Sequence, residues 1–249
     1  MNSKFRLLAI RALNYWRHAH PPGYLGIRLF LSQSVDSLLD TTLHGLIFRK
    51  LATRSKPRYQ RFHQFKALEA NGDPEYRDLY AASATTAIGE AIALDILSRL
   101  PSLANRSNVY SYKWPKSQRS GGLFTYFYAG YRSRNEHVTH LLRQHPHKIA
   151  LVFDIRQFYP SVSRQRIWAR FTKHLSGLRD SQESHFLEAT CSNFLSLSQT
   201  GIPMGPPLSH VLGNIALESL DLALSKQLVQ PGRNNTPFRH GAVSAHRSI

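Results

Sequence analysis

Apolar residues recur at intervals of three and four along most of this chain, and that spacing predicts a protein built mainly from helices. The pattern is clearest over residues 1–20, 25–51, 81–100, 165–175 and 181–197, and again after residue 209. Candidate N-caps precede several of these stretches, because a Ser or Thr side chain can accept a hydrogen bond from the first helical turn. Ser83 or Thr85 is the candidate for the third stretch and Ser163 for the fourth.

Two other stretches have a pattern typical of strands. Ile149 to Phe153 is an apolar run that predicts a short strand buried on both faces, and it ends at Asp154. Residues 109–134 contain two aromatic, β-prone runs around Ser120-Gly121-Gly122, which predicts a hairpin. Residues 71–75 (NGDPE) predict a turn and the best domain boundary, with a helical, basic N-terminal region over 1–80 and a second domain over 81–249.

The charge balance narrows the classes of function. The 249 residues contain 32 Lys and Arg against 15 Asp and Glu, a formal net charge of +17. Such an excess suits a polyphosphate partner, with an anionic membrane surface as the competing interpretation. A hydrophobic content of 42% is typical of a globular protein, and no apolar run approaches the roughly 20 residues that span a bilayer. Cys191 is the single cysteine, which excludes an intramolecular disulfide, and we expect a cytoplasmic protein.

Three segments keep two interpretations each. Residues 1–20 lack acids and predict an amphipathic helix that packs on the body or contacts nucleic acid, with a mitochondrial-type presequence as the alternative. Basic residues from Arg49 to Lys66 alternate with aromatic ones, which fits either phosphate neutralisation with base stacking or a solvated face. His137 and His140 have a helical spacing that could bind a metal, but surface histidines are the favoured interpretation.

The chemistry-bearing residues follow the predicted buried strand. Asp154 would lose much of its hydration there unless a cation or a hydrogen-bond donor compensates. It is therefore either the first ligand of a metal-dependent site or a residue that caps a turn. Phe158-Tyr159-Pro160-Ser161 comes next, and Gly201 to Ser209 later reads GIPMGPPLS. Glycines on either side of a proline-rich turn let the backbone approach a ligand closely.

Together these two segments resemble motifs A and B of reverse transcriptases: Asp-x-x-x-Phe-Tyr-Pro-Ser, then a Gly-x-Pro-x-Gly-x-x-x-Ser loop and a helix. The residue patterns of the two motifs are most similar to those of the prokaryotic abortive-infection and phage-defence enzymes, and next to those of group II intron and retron enzymes. The resemblance implies an RNA-directed DNA polymerase with an α/β (α+β) fold, the fingers and partial palm of a right hand, and a small antiparallel palm sheet backed by helices. It also implies an RNA template, a DNA primer or product, dNTPs and a noncoding RNA or partner protein, with no membrane.

The resemblance also assigns roles to individual residues. Asp154 would bridge two Mg²⁺ ions, the carbonyl of Ile155 would help to hold the nucleotide-bound ion, and the ring of Tyr159 would block a ribose 2′-OH. Met204 departs from the Gln that is common in the family at that point. The residues implied for the nucleotide are Ile155, Phe158, Tyr159, Gly205, Lys113 and Arg132, and those implied for template and primer are Pro203, Met204, Ser209, Lys116 and Arg119.

One family motif has no counterpart here. The family completes its metal site with two adjacent aspartates, whereas this chain contains no Asp-Asp pair and residues 222–249 contain no acid. Phe238-Arg239-His240 stands about where the approach to that motif is expected, so we expect a truncated or frameshifted C-terminus and no polymerase activity from this chain alone. The alternative is a non-catalytic nucleic-acid-binding protein that keeps the polymerase scaffold. A third class is a basic structural or membrane-surface protein.

Overall fold

Helices make up most of the structure, and one small antiparallel sheet accompanies them, so the fold is α+β. The computed structural model describes residues 4–34, 38, 40–41, 58–106, 109–117, 120–147, 149, 152, 154–178 and 181–228, with side chains up to residue 223. The elements in chain order are α1 (Lys4–Ala19), α2 (Pro21–Gln33), β1 (Tyr59–Leu68), β2 (Pro74–Ala82), α3 (Ala84–Ser98), α4 (Phe127–Gln144), the one-turn helix α5 (Phe158–Ser161), α6 (Arg164–His174), α7 (Gln182–Leu195) and α8 (Leu208–Leu228).

Serine side chains cap three of these helices, and two of these caps, Ser83 and Ser163, are predicted from the sequence. Ser83 accepts a hydrogen bond from the backbone N–H of Thr86, and Ser163 accepts one from Arg166. Ser181 does the same for α7. Each cap satisfies one of the N–H groups that have no partner within the helix. The predicted helices over 81–100, 165–175 and 181–197 are therefore confirmed, with small changes at their ends.

The sheet consists of β1 and β2, which pair antiparallel from Tyr59 opposite Ala82 to Leu68 opposite Pro74. The predicted turn at 71–75 is confirmed, and Gly72 has a positive φ of 88° there. That turn joins two strands, so the region predicted to be helical up to residue 80 contains a β-hairpin. A boundary at residue 80 stays a prediction.

The hairpin predicted over residues 109–134 is wrong. Residues 127–134 belong to α4, and the described residues between 109 and 126 form no strand. Their backbone groups bond within a loop instead: Trp114 N–H donates to the side chain of Asn105 at 2.7 Å, and Thr125 N–H donates to Lys113 O at 2.8 Å. Aromatic, β-prone residues form a strand only where a partner strand accepts their hydrogen bonds.

The buried strand predicted over Ile149 to Phe153 is wrong for the residues of it that the structure describes. Ile149 is 82% exposed, Val152 is 90% exposed, and neither lies in a strand. Within the described residues the sheet contains only β1 and β2, so Ile149 and Val152 have no described strand beside them to satisfy their backbone.

The core is one cluster of apolar side chains shared by most of the helices. Leu8 and Trp16 of α1 pack against α3, where Ala87 and Ala91 are fully buried. These alanines let the two helices approach closely, as the small residues of this stretch predict. Phe171 of α6, Phe194 and Cys191 of α7 and Leu212 of α8 extend the same cluster. In the described part of the chain no helix is both long enough and apolar enough to cross a membrane.

Several sequence predictions lie outside the described residues. They are residues 42–51 of the helix predicted over 25–51, the basic residues 49–57, Arg119, and the segment 229–249 with Phe238-Arg239-His240. In its described part the helix predicted over 25–51 is interrupted, because α2 ends at Gln33 and Ser34 has an extended backbone.

Candidate functional site

The Phe-Tyr-Pro-Ser segment, folded as α5, lies directly against the Gly201–Ser209 loop. The backbone N–H of Ile202 donates a hydrogen bond of 2.8 Å to Tyr159 O. Gly201 has a φ of +66°, and a Cβ atom there would lie 2.0 Å from Tyr159 O and 2.6 Å from Pro160 Cα. Only glycine fits this contact without moving the backbone. The two segments that carry the motif resemblance therefore touch through their main chains.

The second glycine of the loop makes an equally close contact with the sheet. Gly205 has a φ of +113°, and a Cβ atom on it would lie 2.5 Å from Tyr80 O. Beside it, Tyr80 N–H donates to Met204 O at 2.8 Å. These glycines permit a close approach of the protein backbone of α5 and β2, and the predicted approach of a ligand stays a prediction.

A buried histidine of α8, His210, contacts α1, α5 and the loop before α4. His210 is 2% exposed, and its Nε2 lies 3.0 Å from the hydroxyl of Tyr15 on α1. That hydroxyl donates its proton to Gly205 O at 2.7 Å. In the neutral imidazole Nε2 therefore carries the proton, and Nδ1 accepts from the hydroxyl of Tyr159 at 3.3 Å. The ring of Tyr112 stacks on His210 at 3.6 Å with an interplanar angle of 7°.

Backbone strain is found next to this cluster. Gln157 and Tyr112 are the non-glycine residues of the described part with a positive φ, at 51° and 52°. The left-handed conformation costs a residue with a Cβ about 1–2 kcal/mol, so surrounding contacts must hold it. Gln157 begins α5 and Tyr112 stacks on His210. The sequence gives no local signal for the roles of His210, Tyr15 or Gln157, because their partners lie far along the chain.

Asp154 and Ile155 lie just before α5, exposed and outside any helix or strand. A pair of Mg²⁺ ions needs several carboxylate and phosphate oxygens around it. Among the described residues there is no group of three or more His, Cys, Asp and Glu side chains that could hold a metal ion. Asp154 supplies one carboxylate here, and the two-ion magnesium site stays a prediction.

Of the basic residues predicted to hold a nucleotide, Lys113 lies in the loop before α4 and Arg132 lies on α4. Lys113 places its Nζ 5.0 Å from the centre of the Tyr110 ring, and burial together with the charge of Lys116 lowers the pKa of Lys113. Arg132 and Lys116 are exposed. Between described residues, no hydrogen bond, ion pair or ring contact joins Lys113 or Arg132 to Asp154.

Two of the residues predicted to contact template and primer, Pro203 and Ser209, are buried within the loop. Ser209 is fully buried, and its hydroxyl donates a short hydrogen bond to Pro206 O. Pro203 is buried as well, whereas Met204 is partly exposed. The ring of Phe158 lies 3.3 Å from where a Cβ atom on Gly213 would stand, and so packs on α8. Direct contact of Ser209 with a template is therefore disfavoured.

Asp221 of α8 is a partly buried acid with a basic neighbour. Arg106 lies 3.4 Å from Asp221 and also pairs with Glu218, which in turn lies 3.0 Å from His174. Burial raises the pKa of Asp221, although the charge of Arg106 opposes that shift. This network connects α8 to α6 and to the loop after α3.

Two basic residues of the stretch from Arg49 to Lys66 form ion pairs with acidic residues of β2. On β1, Arg61 pairs with Asp78 at 2.5 Å and Lys66 pairs with Glu75 at 2.5 Å. Both pairs are solvated cross-strand contacts, which favours the interpretation of this face as a solvated one. His137 and His140 lie on the exposed surface of α4.

Comparison of this chain with protein-family models, with curated proteins and with solved structures finds no match.

Proposed function

We propose that this chain is the fingers and part of the palm of a reverse transcriptase, and that on its own it binds a primer–template without extending it. The observation that supports this most is the backbone contact between the Phe-Tyr-Pro-Ser segment and the Gly-x-Pro-x-Gly loop, from Ile202 N–H to Tyr159 O at 2.8 Å. Two segments far apart in sequence, each similar to one polymerase motif, are neighbours in space. An accidental match in either segment would not require that contact.

The position of Tyr159 supports the same proposal. Its hydroxyl lies 3.3 Å from Nδ1 of His210, and its backbone carbonyl accepts from Ile202. A ring held at both ends keeps one orientation, which a residue that discriminates against a ribose 2′-OH requires. In this proposal the nucleotide is a dNTP, and the template is an RNA strand. A role in antiphage defence rests on the similarity of the two motifs to those of phage-defence enzymes.

The expected lack of extension follows from the carboxylates. Nucleotidyl transfer depends on charge stabilisation around the transferring phosphoryl group, which two divalent ions supply when they are bound. Asp154 lies just before α5, the described residues contain no group of three or more possible metal ligands, and the chain has no two adjacent aspartates. The runner-up function, a non-catalytic nucleic-acid-binding protein on a polymerase scaffold, is favoured by this same shortage.

Primer extension and binding on poly-A/oligo-dT test the assigned site and the expected inactivity. We expect no extension with Mg²⁺ and dTTP, together with salt-sensitive binding that prefers a recessed 3′ end over a blunt duplex. Extension that is lost in Asp154→Ala but kept in Glu69→Ala, an exposed carboxylate of the hairpin turn, would keep the polymerase and refute the expected inactivity. Extension that survives Asp154→Ala would refute the assigned site.

A nucleotide-dependent complex tests the polymerase scaffold without catalysis. We expect dTTP, and not dCTP, to tighten binding to the recessed oligo-dT end, because only the complementary base pairs with the template. UTP should tighten it only in Tyr159→Ala, where the 2′-OH no longer meets the ring. Equal binding to recessed and blunt ends, with no effect of any nucleotide, would leave a basic protein and refute the proposal.

A further inference from the structure

The first turns of α4 expose a cluster of aromatic rings. We call Tyr126, Phe127, Tyr128 and Tyr131 the aromatic face of α4; their exposures are 72%, 46%, 60% and 39%. The rings lie close to one another, with centroids 5.5 Å apart for Tyr126 and Tyr128 and 5.4 Å apart for Phe127 and Tyr128. No residue of α4 is buried. Single exposed aromatics are ordinary, but a contiguous exposed cluster marks a binding surface.

Arginines continue the rows of rings along the helix. Phe127 and Tyr131 are four residues apart, and their centroids lie 6.4 Å apart; the guanidinium of Arg134 lies 4.6 Å from the centre of the Tyr131 ring. Tyr128 and Arg132 have the same four-residue spacing and therefore share the neighbouring row. Each row thus presents an aromatic surface followed by a cation.

The composition of this surface selects one class of partner. The helix carries three arginines against one glutamate, and its first turn has no acidic residue. Its first two turns, FYAGYRSR, contain no aliphatic side chain larger than Ala, so a protein partner would find few apolar contacts besides the rings. Rings stack on unpaired bases and arginines bind phosphates, and a single strand offers both groups at once. In a duplex the bases are already stacked on each other.

We propose that the aromatic face of α4, together with Arg132 and Arg134, binds single-stranded nucleic acid by stacking bases on Tyr126 and Tyr128. This surface lies on a different element from the α5–loop contact, and the inference does not depend on polymerase function. It fits RNA and DNA alike, because every base has a face that can stack.

Binding of fluorescently labelled oligo-dT and oligo-U, without primer or nucleotide, tests the proposal by anisotropy. We expect the double substitution of Tyr126→Ala with Tyr128→Ala to weaken binding about tenfold or more, since each base that stacks on a ring contributes that order of affinity. Tyr128→Phe should bind like the parent chain, because stacking needs the ring and not the hydroxyl. Tyr76→Ala is the matched control, an aromatic side chain 56% exposed on β2, and it should leave binding unchanged.

The salt dependence tests the arginine. We expect Arg132→Ala to lower the slope of log affinity against log salt by about 0.7, as loss of one phosphate contact to a single strand does. Unchanged affinity of the double variant, or equal losses in Tyr128→Phe and in the double variant, would overturn stacking. Self-association that the double variant abolishes, with oligonucleotide affinity intact, would mean that a second copy occupies the face and would overturn the proposal. Loss of single-strand binding with recessed-end binding intact would support two separate surfaces.

Discussion

At the scale of single residues, the burial of Glu90 predicts an effect on stability. Glu90 lies in α3 at 1% exposure, the hydroxyl of Tyr59 donates a short hydrogen bond to Oε1, and Oε2 has no hydrogen-bond partner among the described residues. Burial raises the pKa of Glu90 from an ordinary 4.5 to about 8, although the hydrogen bond from Tyr59 opposes that shift. The carboxyl is therefore protonated in the folded protein at neutral pH.

This burial predicts a stability that falls as pH rises. Below pH 4.5 the carboxyl is protonated in both the folded and the unfolded chain, so it adds no pH dependence. Between about pH 4.5 and 8 the unfolded chain releases the proton and the folded one keeps it, which lowers the free energy of unfolding by at most about 1.4 kcal/mol per pH unit. Urea unfolding at a series of pH values measures this slope.

Two variants decide whether Glu90 causes the slope. Glu90→Gln cannot ionise, so we expect the slope between pH 5 and 8 to flatten. Glu136→Gln, an exposed carboxylate on α4, should leave the slope as it is. A slope that persists in Glu90→Gln would mean that another group titrates.

At the scale of elements, the contact between α5 and the Gly201 loop depends on a missing Cβ. Gly201→Ala would place a Cβ 2.0 Å from Tyr159 O in a left-handed conformation, so the two segments must separate. We expect a loss of at least about 2 kcal/mol in unfolding free energy, from strain and lost packing together. Gly26→Ala is the control in helix α2, where a Cβ would meet nothing within 4 Å, and it should stabilise by about 0.5–1 kcal/mol. Chemical denaturation compares them, and equal effects would contradict the close contact.

How far the elements could be predicted depended on where their hydrogen bonds go. The helices at 84–98, 164–174 and 182–195 were predictable because apolar spacing and a capping serine are both local signals. The strands were not, because a strand is defined by its partner: β1 falls in a basic stretch that fitted either nucleic-acid contact or a solvated face, and a hairpin was predicted over 109–134. Pairing of Arg61 with Asp78 across β1 and β2 depends on the register, and local periodicity does not show it.

The candidate site could also be predicted in part, where its signals are local. The glycine loop and the Phe-Tyr-Pro-Ser turn were recognisable from their residues, and so was the need for glycine at positions 201 and 205. That these segments touch, and that His210 links them to Tyr15 and Tyr112, follows only from the packing of distant elements. The expected placement of Asp154 at the end of a buried strand failed because neither Ile149 nor Val152 has a partner strand among the described residues.

At the scale of the whole molecule, α1 connects regions that the sequence divided at residue 80. Arg11, only 7% exposed, donates from Nε to Ser120 O at 2.9 Å and lies 3.5 Å from Asp95 of α3. Asn14 donates to Gly121 O at 2.9 Å, and Tyr15 donates to Gly205 O. With the core cluster running from Leu8 to Leu212, these contacts favour a single cooperative unit.

A single cooperative unit predicts that distant probes unfold together. Trp16 on α1 and Trp168 on α6 can be observed separately in variants whose other two tryptophans are Phe, and we expect their urea transitions to coincide. Arg11→Met should lower both midpoints, by about 2 kcal/mol in unfolding free energy, because Ser120 O loses a charged donor while Asp95 keeps Lys4 and Arg99. Arg17→Met, on the exposed side of the same helix, should change neither. A Trp16 transition at lower urea than that of Trp168, or a shift confined to Trp16, would instead separate the N-terminal region from the rest and support the boundary near residue 80.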